Sequence, residues 1–184
     1  MDTIKINKRK TKMIAHRGLS RIERENTAAS FIAAGNRSFY GCECDIRLSS
    51  DHVYVVSHDD NLRRNAGIDV LIKDCTFEQL QSFKMYDVNK EISDYYNVLS
   101  FEDYLKICKR YDKYCIIEFK LDYNKKEIEE IIDIIKSVDY LEKCVFISFI
   151  KNPLVITREL LKDNEIQFLN DKFDDETFEF CLKH

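Results

Sequence analysis

The chain has 184 residues, 45% of them hydrophobic, enough to bury the core of one domain. Lys plus Arg number 29 against 33 Asp plus Glu, a formal net charge of −4 that offers no basic face for a general nucleic-acid partner. No apolar run approaches the ~20 residues of a membrane span, so stable membrane insertion is not expected. The most basic stretch, positions 5–12, reads as a solvated tail. The first residues show neither an apolar signal core nor a small-residue cleavage site. The seven cysteines are odd in number and form no C-x-x-C pair. Together these features point to a cytoplasmic protein whose free thiols mostly act as small hydrophobes.

Strand-like runs at 12–16, 39–48, 53–58, 114–120, 144–149 and 165–169 alternate with helix-period segments, the pattern of βαβ units around a parallel sheet. In chain order, Thr27 is placed to cap a helix that turns Ala28, Phe31 and Ile32 inward. Segment 60–97 exceeds an ordinary βα loop and is expected to pack as an insertion over one end of the sheet. Thr76 with Gln79, and Ser100 with Asp103, resemble capping boxes. After Asn124, the residues Ile128, Ile131, Ile132, Ile135 and Val138 form one helical stripe. Pro153 follows Asn152 as a first helical residue would. A last helix is expected from Asp174, with Phe178, Cys181 and Leu182 inward. No repeat or linker interrupts these elements. The fold class is therefore α/β, a TIM-type (β/α) barrel with about six of its eight units and an insertion after the third strand.

Strands buried in a parallel sheet should be almost continuously apolar. Here four carry ionisable groups towards their C-terminal ends. The first ends on His16, and the second holds Glu43 and Asp45 on one face with Cys42 and Cys44 on the other. The third ends on His58, followed by Asp59, and the fourth places Glu118 and Lys120 on a face opposite Phe119. Any one of these alone reads better as a solvated or paired group at a sheet end. Their recurrence is harder to explain that way, because the C-terminal face is where barrel enzymes carry chemistry. Carboxylates two residues apart on a strand lie within roughly 7 Å. With Glu118 converging from a neighbouring strand, the trio needs positive charge. Oxygen ligands suit Mg²⁺ or Ca²⁺, and the lack of cysteine on that face argues against zinc. His16 and His58 could act as acid and base on a phosphorus centre, with Arg17 and Lys120 as fixed cations beside it.

His16-Arg17-Gly18, Glu25-Asn26-Thr27, Glu43-x-Asp45, His58-Asp59 and Glu118-x-Lys120, in that order, resemble the glycerophosphodiester phosphodiesterases. Weaker similarity continues through Ile147-Ser148-Phe149. The resemblance implies a small-molecule phosphodiester substrate, cleaved to sn-glycerol 3-phosphate and an alcohol by way of a cyclic phosphate. It implies His16 and His58 as the acid/base pair and Glu43, Asp45 and Glu118 as ligands of a divalent cation. Arg17, Lys120, Glu25 and Asn26 would bind substrate. Arg24 stands where the family usually has Pro, and Asn97-Val98-Leu99-Ser100 replaces the family's Ile-Pro-Thr-Leu. The last two barrel strands, with an aromatic residue that lines the family's pocket, are expected to lie outside the chain. A shortened barrel would expose two strand edges for a second copy or the C-terminal helix to cover. Two alternatives remain at this level: an impaired barrel that only binds metal or phosphate, and a related phospholipase-type enzyme. No aromatic loop or amphipathic anchor stands out for the latter.

Overall fold

A computed structural model describes residues 10–172 and 174–183, so positions 5–9 of the basic stretch lie outside the described residues. All six expected strands form: β1 (Ile14–His16), β2 (Gly41–Leu48), β3 (Tyr54–Val56), β7 (Tyr114–Phe119), β8 (Cys144–Ser148) and β9 (Glu165–Phe168). Five of them run parallel in the order β1-β2-β7-β8-β9. The sixth, β3, returns antiparallel beside the upper half of β2. The reason is the short link between them. Ser49 accepts the Val53 N–H on its hydroxyl at 2.9 Å, closing a tight turn with His52 in the left-handed region at φ 60°. A parallel crossover needs a dozen or more residues. The turn sends the chain back along β2, where the Ser57 N–H donates to the Asp45 carbonyl at 2.9 Å.

The alternation in the parallel strands sorts side chains into two layers. Outward-facing Ala15, Cys42, Cys44, Ile46, Cys115, Ile117, Phe119, Cys144 and Phe146 join the main core. Four helices cover them: α1 (Ala28–Gly35), α4 (Phe101–Arg110), α5 (Lys125–Ser137) and α6 (Lys151–Leu160). Five of the seven cysteines are thus small hydrophobes of this layer, and Cys181 alone is exposed. The inward face carries Ile116, Val145 and Ile147 with the ionisable residues above them. Among the described residues, β1 and β9 each pair with one neighbour, so one edge of each is unpaired.

The helix starts follow their caps. Thr27 and Ser30 form a reciprocal capping box for α1, Asn124 and Glu127 do so for α5, and Ser100 caps α4. The Ile128–Ile135 stripe is buried as expected. Three details differ from expectation. Ile32 is 40% exposed, because α1 packs through Phe31 and Ala34 instead. Pro153 is the third residue of α6, still in the first turn, where its missing N–H has no intrahelical partner to lose. The last helix, α7 (Asp175–Lys183), leaves Phe178, Cys181 and Leu182 exposed. It packs through buried Thr177 and through Phe180, whose ring meets Phe168 edge-on at 5.0 Å.

Residues 60–98 build a second small core around Leu62, Ile72, Leu80, Met85 and Val98. It holds α2 (Arg63–Ala66), α3 (Phe77–Ser82), and a hairpin of β4 (Met85–Tyr86) with β5 (Ile92–Ser93). The chain then re-enters the main sheet through β6 (Leu99–Ser100), which pairs with β3. Asn97-Val98-Leu99-Ser100, the departure from the family's run, thus supplies both an edge strand and the α4 cap.

Phe31 is fully buried, with its ring edge-on to Tyr104 at 4.8 Å. Phe31→Ala should cost about 3–5 kcal/mol of unfolding free energy in urea titration. A loss below ~1 kcal/mol would mean that α1 is not clamped between the sheet and α4.

Candidate active site

The strand register brings the polar residues together. His16 pairs with Glu43 across β1 and β2, and Asp45 pairs with Glu118 across β2 and β7, all facing inward. Glu43, Asp45 and Glu118 are buried and each offers an oxygen within 4.8 Å of the other two. Their compensation is incomplete. Lys120, one residue past β7, places Nζ 2.8 Å from Glu118 Oε1 and 3.5 Å from Asp45 Oδ1. Arg17 donates its backbone N–H to Glu43 Oε2 at 2.9 Å, and its Nε lies 3.5 Å from Asp45 Oδ2. Asn26 Nδ2 donates to the same Asp45 oxygen at 2.8 Å. Glu43 Oε1 and Asp45 Oδ1 remain buried without a hydrogen-bond donor. Burial, reinforced by Asp45, pushes the Glu43 carboxyl up to about 8.

The backbone that delivers these groups is unusual. Arg17 and Gly18 lie in succession in the left-handed region, at φ 56° and 75°. A Cβ at position 18 would approach Ser30 Oγ to 2.5 Å, so the turn after β1 needs glycine to pack on α1. Asn26 also has a positive φ of 56°. Its backbone N–H returns to the Arg17 carbonyl at 3.1 Å, folding the 17–26 loop back over the site. Non-glycine residues in this region cost of order 1–3 kcal/mol each and persist where the surroundings hold them.

His16 projects into solvent from the end of β1, its Nε2 3.8 Å from Glu43 Oε2. Partial desolvation of the ring where it meets the strand end, and the adjacent Arg17 cation, lower its proton affinity. His58 is not on a strand; it follows β3 by two residues, and its carbonyl accepts from Arg47 Nε and Nη2 at 3.1 and 2.6 Å. Its Nδ1 lies 2.7 Å from Asp59 Oδ1. No direct contact joins His58 to the carboxylate trio. The link runs through Asp59, Glu25 and Arg17 by way of Arg64, which the sequence did not single out for the site. Arg64, on α2, donates Nε to Asp59 Oδ2 at 2.7 Å and clasps Glu25 through Nη1 and Nη2 at 2.8 and 2.7 Å. Glu25 in turn accepts from Arg17 Nη1 at 3.1 Å. Burial alone would raise the Asp59 and Glu25 carboxyls. Their arginine partners, with His58 at Asp59, outweigh it, holding Asp59 at about 2 and Glu25 below its ordinary value. Arg24 explains its place in the departure from the family pattern: its Nη2 donates to the Arg64 carbonyl at 2.9 Å and to Asn65 Oδ1 at 2.5 Å, fastening the loop to α2.

This donor set fits a divalent cation: three buried carboxylates from two adjacent strands, two of them with an oxygen that accepts no hydrogen bond. Among the described residues no helix is long and apolar enough to cross a membrane.

The chain is similar to known proteins in the same region. A phosphodiesterase of Oleispira antarctica, solved with the product sn-glycerol-3-phosphate, superposes with a TM-score of 0.83 at 24% identity, covering 94% of this chain and 71% of that one. That likeness shows the TIM-type fold. A glycerophosphodiester phosphodiesterase of Bacillus altitudinis is 38% identical over 71 residues, 39% of this chain and 29% of that protein. An uncharacterised Mycoplasma genitalium protein is 28% identical over 146 residues, 74% of this chain. The chain thus spans 58% of the Mycoplasma relative and less than a third of the Bacillus one. The model of the glycerophosphoryl diester phosphodiesterase family matches residues 16–179, from the first histidine of the site into α7, and the chain belongs to that family.

Proposed function

We propose that the chain hydrolyses glycerophosphodiesters to sn-glycerol 3-phosphate and an alcohol, with Glu43, Asp45 and Glu118 holding Mg²⁺ or Ca²⁺. The observation that carries the reading is the buried carboxylate trio with its two donor-less oxygens, beside the cations Arg17 and Lys120. The bound cation would supply Lewis-acid polarisation of the phosphoryl group. Arg17 and Lys120 hold further positive charge where negative charge builds on phosphorus. Asn26 fixes Asp45, and Glu25 fixes Arg17. His16 and His58 divide the proton work: one imidazole takes the proton of the attacking glycerol hydroxyl, and the other gives a proton to the departing alcohol oxygen. The exchange reverses when water opens the cyclic phosphate. With Asp59 ionised, His58 donates from Nδ1 and keeps Nε2 for the substrate. A soluble substrate in the cytoplasm fits a chain whose six buried cysteines remain free thiols.

His16→Ala and His58→Ala should each lower glycerophosphocholine turnover by at least ~10²-fold with little change in melting temperature, as expected for loss of one positioned proton transfer. If His58→Ala kept most of the activity, the acid/base assignment would be wrong.

The carboxylates also predict a pH dependence for chelator-treated protein. Glu43 is raised to about 8 in the folded state, so the native chain retains a proton that the unfolded chain has released above the ordinary carboxyl range. Its contribution is complete below that range and is lost as pH rises through about 8. The melting temperature of the metal-free protein should therefore fall between about pH 5 and pH 8, and Glu43→Gln should flatten that slope. A metal-free melting temperature independent of pH over this window would contradict the burial of the trio.

A further inference from the structure

Arg64 is the sole described residue that touches both carboxylates flanking the proposed acid/base machinery. Its guanidinium uses three N–H groups in a fixed fork. Two grip Glu25, the carboxylate that holds Arg17, and the third grips Asp59, the carboxylate against His58 Nδ1. A lysine ammonium carries the same charge without the planar fork. Arg64 also belongs to a different structural unit from the groups it orders. It rides on α2, whose neighbours Leu62 and Ala66 are buried in the second core, and Arg24 anchors the backbone of the same turn to the 17–26 loop.

We infer that Arg64 is a positioning residue that locks His58 in one tautomer through Asp59 and aims Arg17 through Glu25, so that the 60–98 segment is needed for turnover. The inference rests on the phosphodiesterase reading for its kinetic consequence and on geometry alone for the tautomer. Without Arg64, Asp59 loses the partner of its second oxygen and can swing away from His58. The imidazole is then free to place its proton on Nε2, the nitrogen needed to accept one from substrate. Glu25 loses its bidentate partner at the same time and must hold Arg17 through their single contact without that brace.

The neighbouring arginine gives a matched control. Arg63 lies on the same short helix but pairs with Asp69 on the surface, so Arg63→Gln makes the same charge change away from the network. With glycerophosphocholine and saturating Mg²⁺ or Ca²⁺, Arg64→Gln should lower kcat roughly 10- to 100-fold and raise KM. Asp59→Asn should lower kcat alone, and adding it to Arg64→Gln should cost little more, because both act on one imidazole. Arg64→Lys should recover only part of the loss, whereas Arg63→Gln should match wild type. Nitrogen NMR of the labelled protein reads the tautomer without any turnover. His58 should be protonated at Nδ1 in wild type and mixed in Arg64→Gln and Asp59→Asn, while His52 is unchanged. An Arg64→Gln protein with wild-type kcat, or with the wild-type His58 ring pattern, would overturn the inference. Should wild type cleave no diester, the phosphodiesterase reading fails, and the NMR pattern alone decides the role of Arg64.

Discussion

Three carboxylates held within 4.8 Å of one another on the inner face of β2 and β7 are the constraint around which the molecule is organised. Burying like charges is costly unless each is paired or neutralised. The chain meets part of that cost with Lys120, with Arg17 and with the amide of Asn26. The oxygens it leaves without a hydrogen bond, Glu43 Oε1 and Asp45 Oδ1, are a defect in a merely structural protein and an asset in one that binds a cation. The strained backbone belongs to the same arrangement. Positive φ at Arg17 and Asn26 turns a main-chain N–H onto Glu43 and a side-chain amide onto Asp45.

Around this centre the ion pairs form one connected network rather than scattered contacts. It runs from His58 through Asp59, Arg64, Glu25 and Arg17 to Asp45. Exposed pairs such as Arg63 with Asp69 contribute little, because water screens them and their side chains must give up freedom. Apart from the more exposed Arg64, the members of the network are partly or fully buried; Arg17 and Arg64 share Glu25 Oε1, and Arg64 grips Glu25 in bidentate geometry. Hence the second core does more than cover the sheet. It carries the guanidinium that joins the two sides of the site.

The sequence made the strands legible because a two-residue alternation records which side chains share a face. Glu43 and Asp45 against Cys42 and Cys44 is the clearest case, and Glu118 against Phe119 the next. Alternation does not record strand direction, which is why β3 reads as a parallel stave and turns out antiparallel; the brevity of the 49–53 link was the readable clue. Helix faces were legible where a partner surface exists, as for Ile128 to Ile135. They misled at Ile32, Phe178 and Leu182, whose apolar spacing leaves the side chains exposed. The roles of Arg64 and Arg24 were not legible at all. A salt bridge between residues 39 positions apart has no periodicity, and it depends on how the second core docks.

The central claim is that the buried trio exists to hold a divalent cation, and calorimetric titration of chelator-treated protein near pH 7 tests it most directly. Mg²⁺ or Ca²⁺ should bind at one site and raise the melting temperature. Binding should also release protons, read as a heat that varies with the ionisation enthalpy of the buffer, because Glu43, with its carboxyl lifted to about 8, must ionise to become a ligand. Asp45→Asn should abolish the binding. Absence of any binding heat and of any thermal shift with either cation would contradict the account.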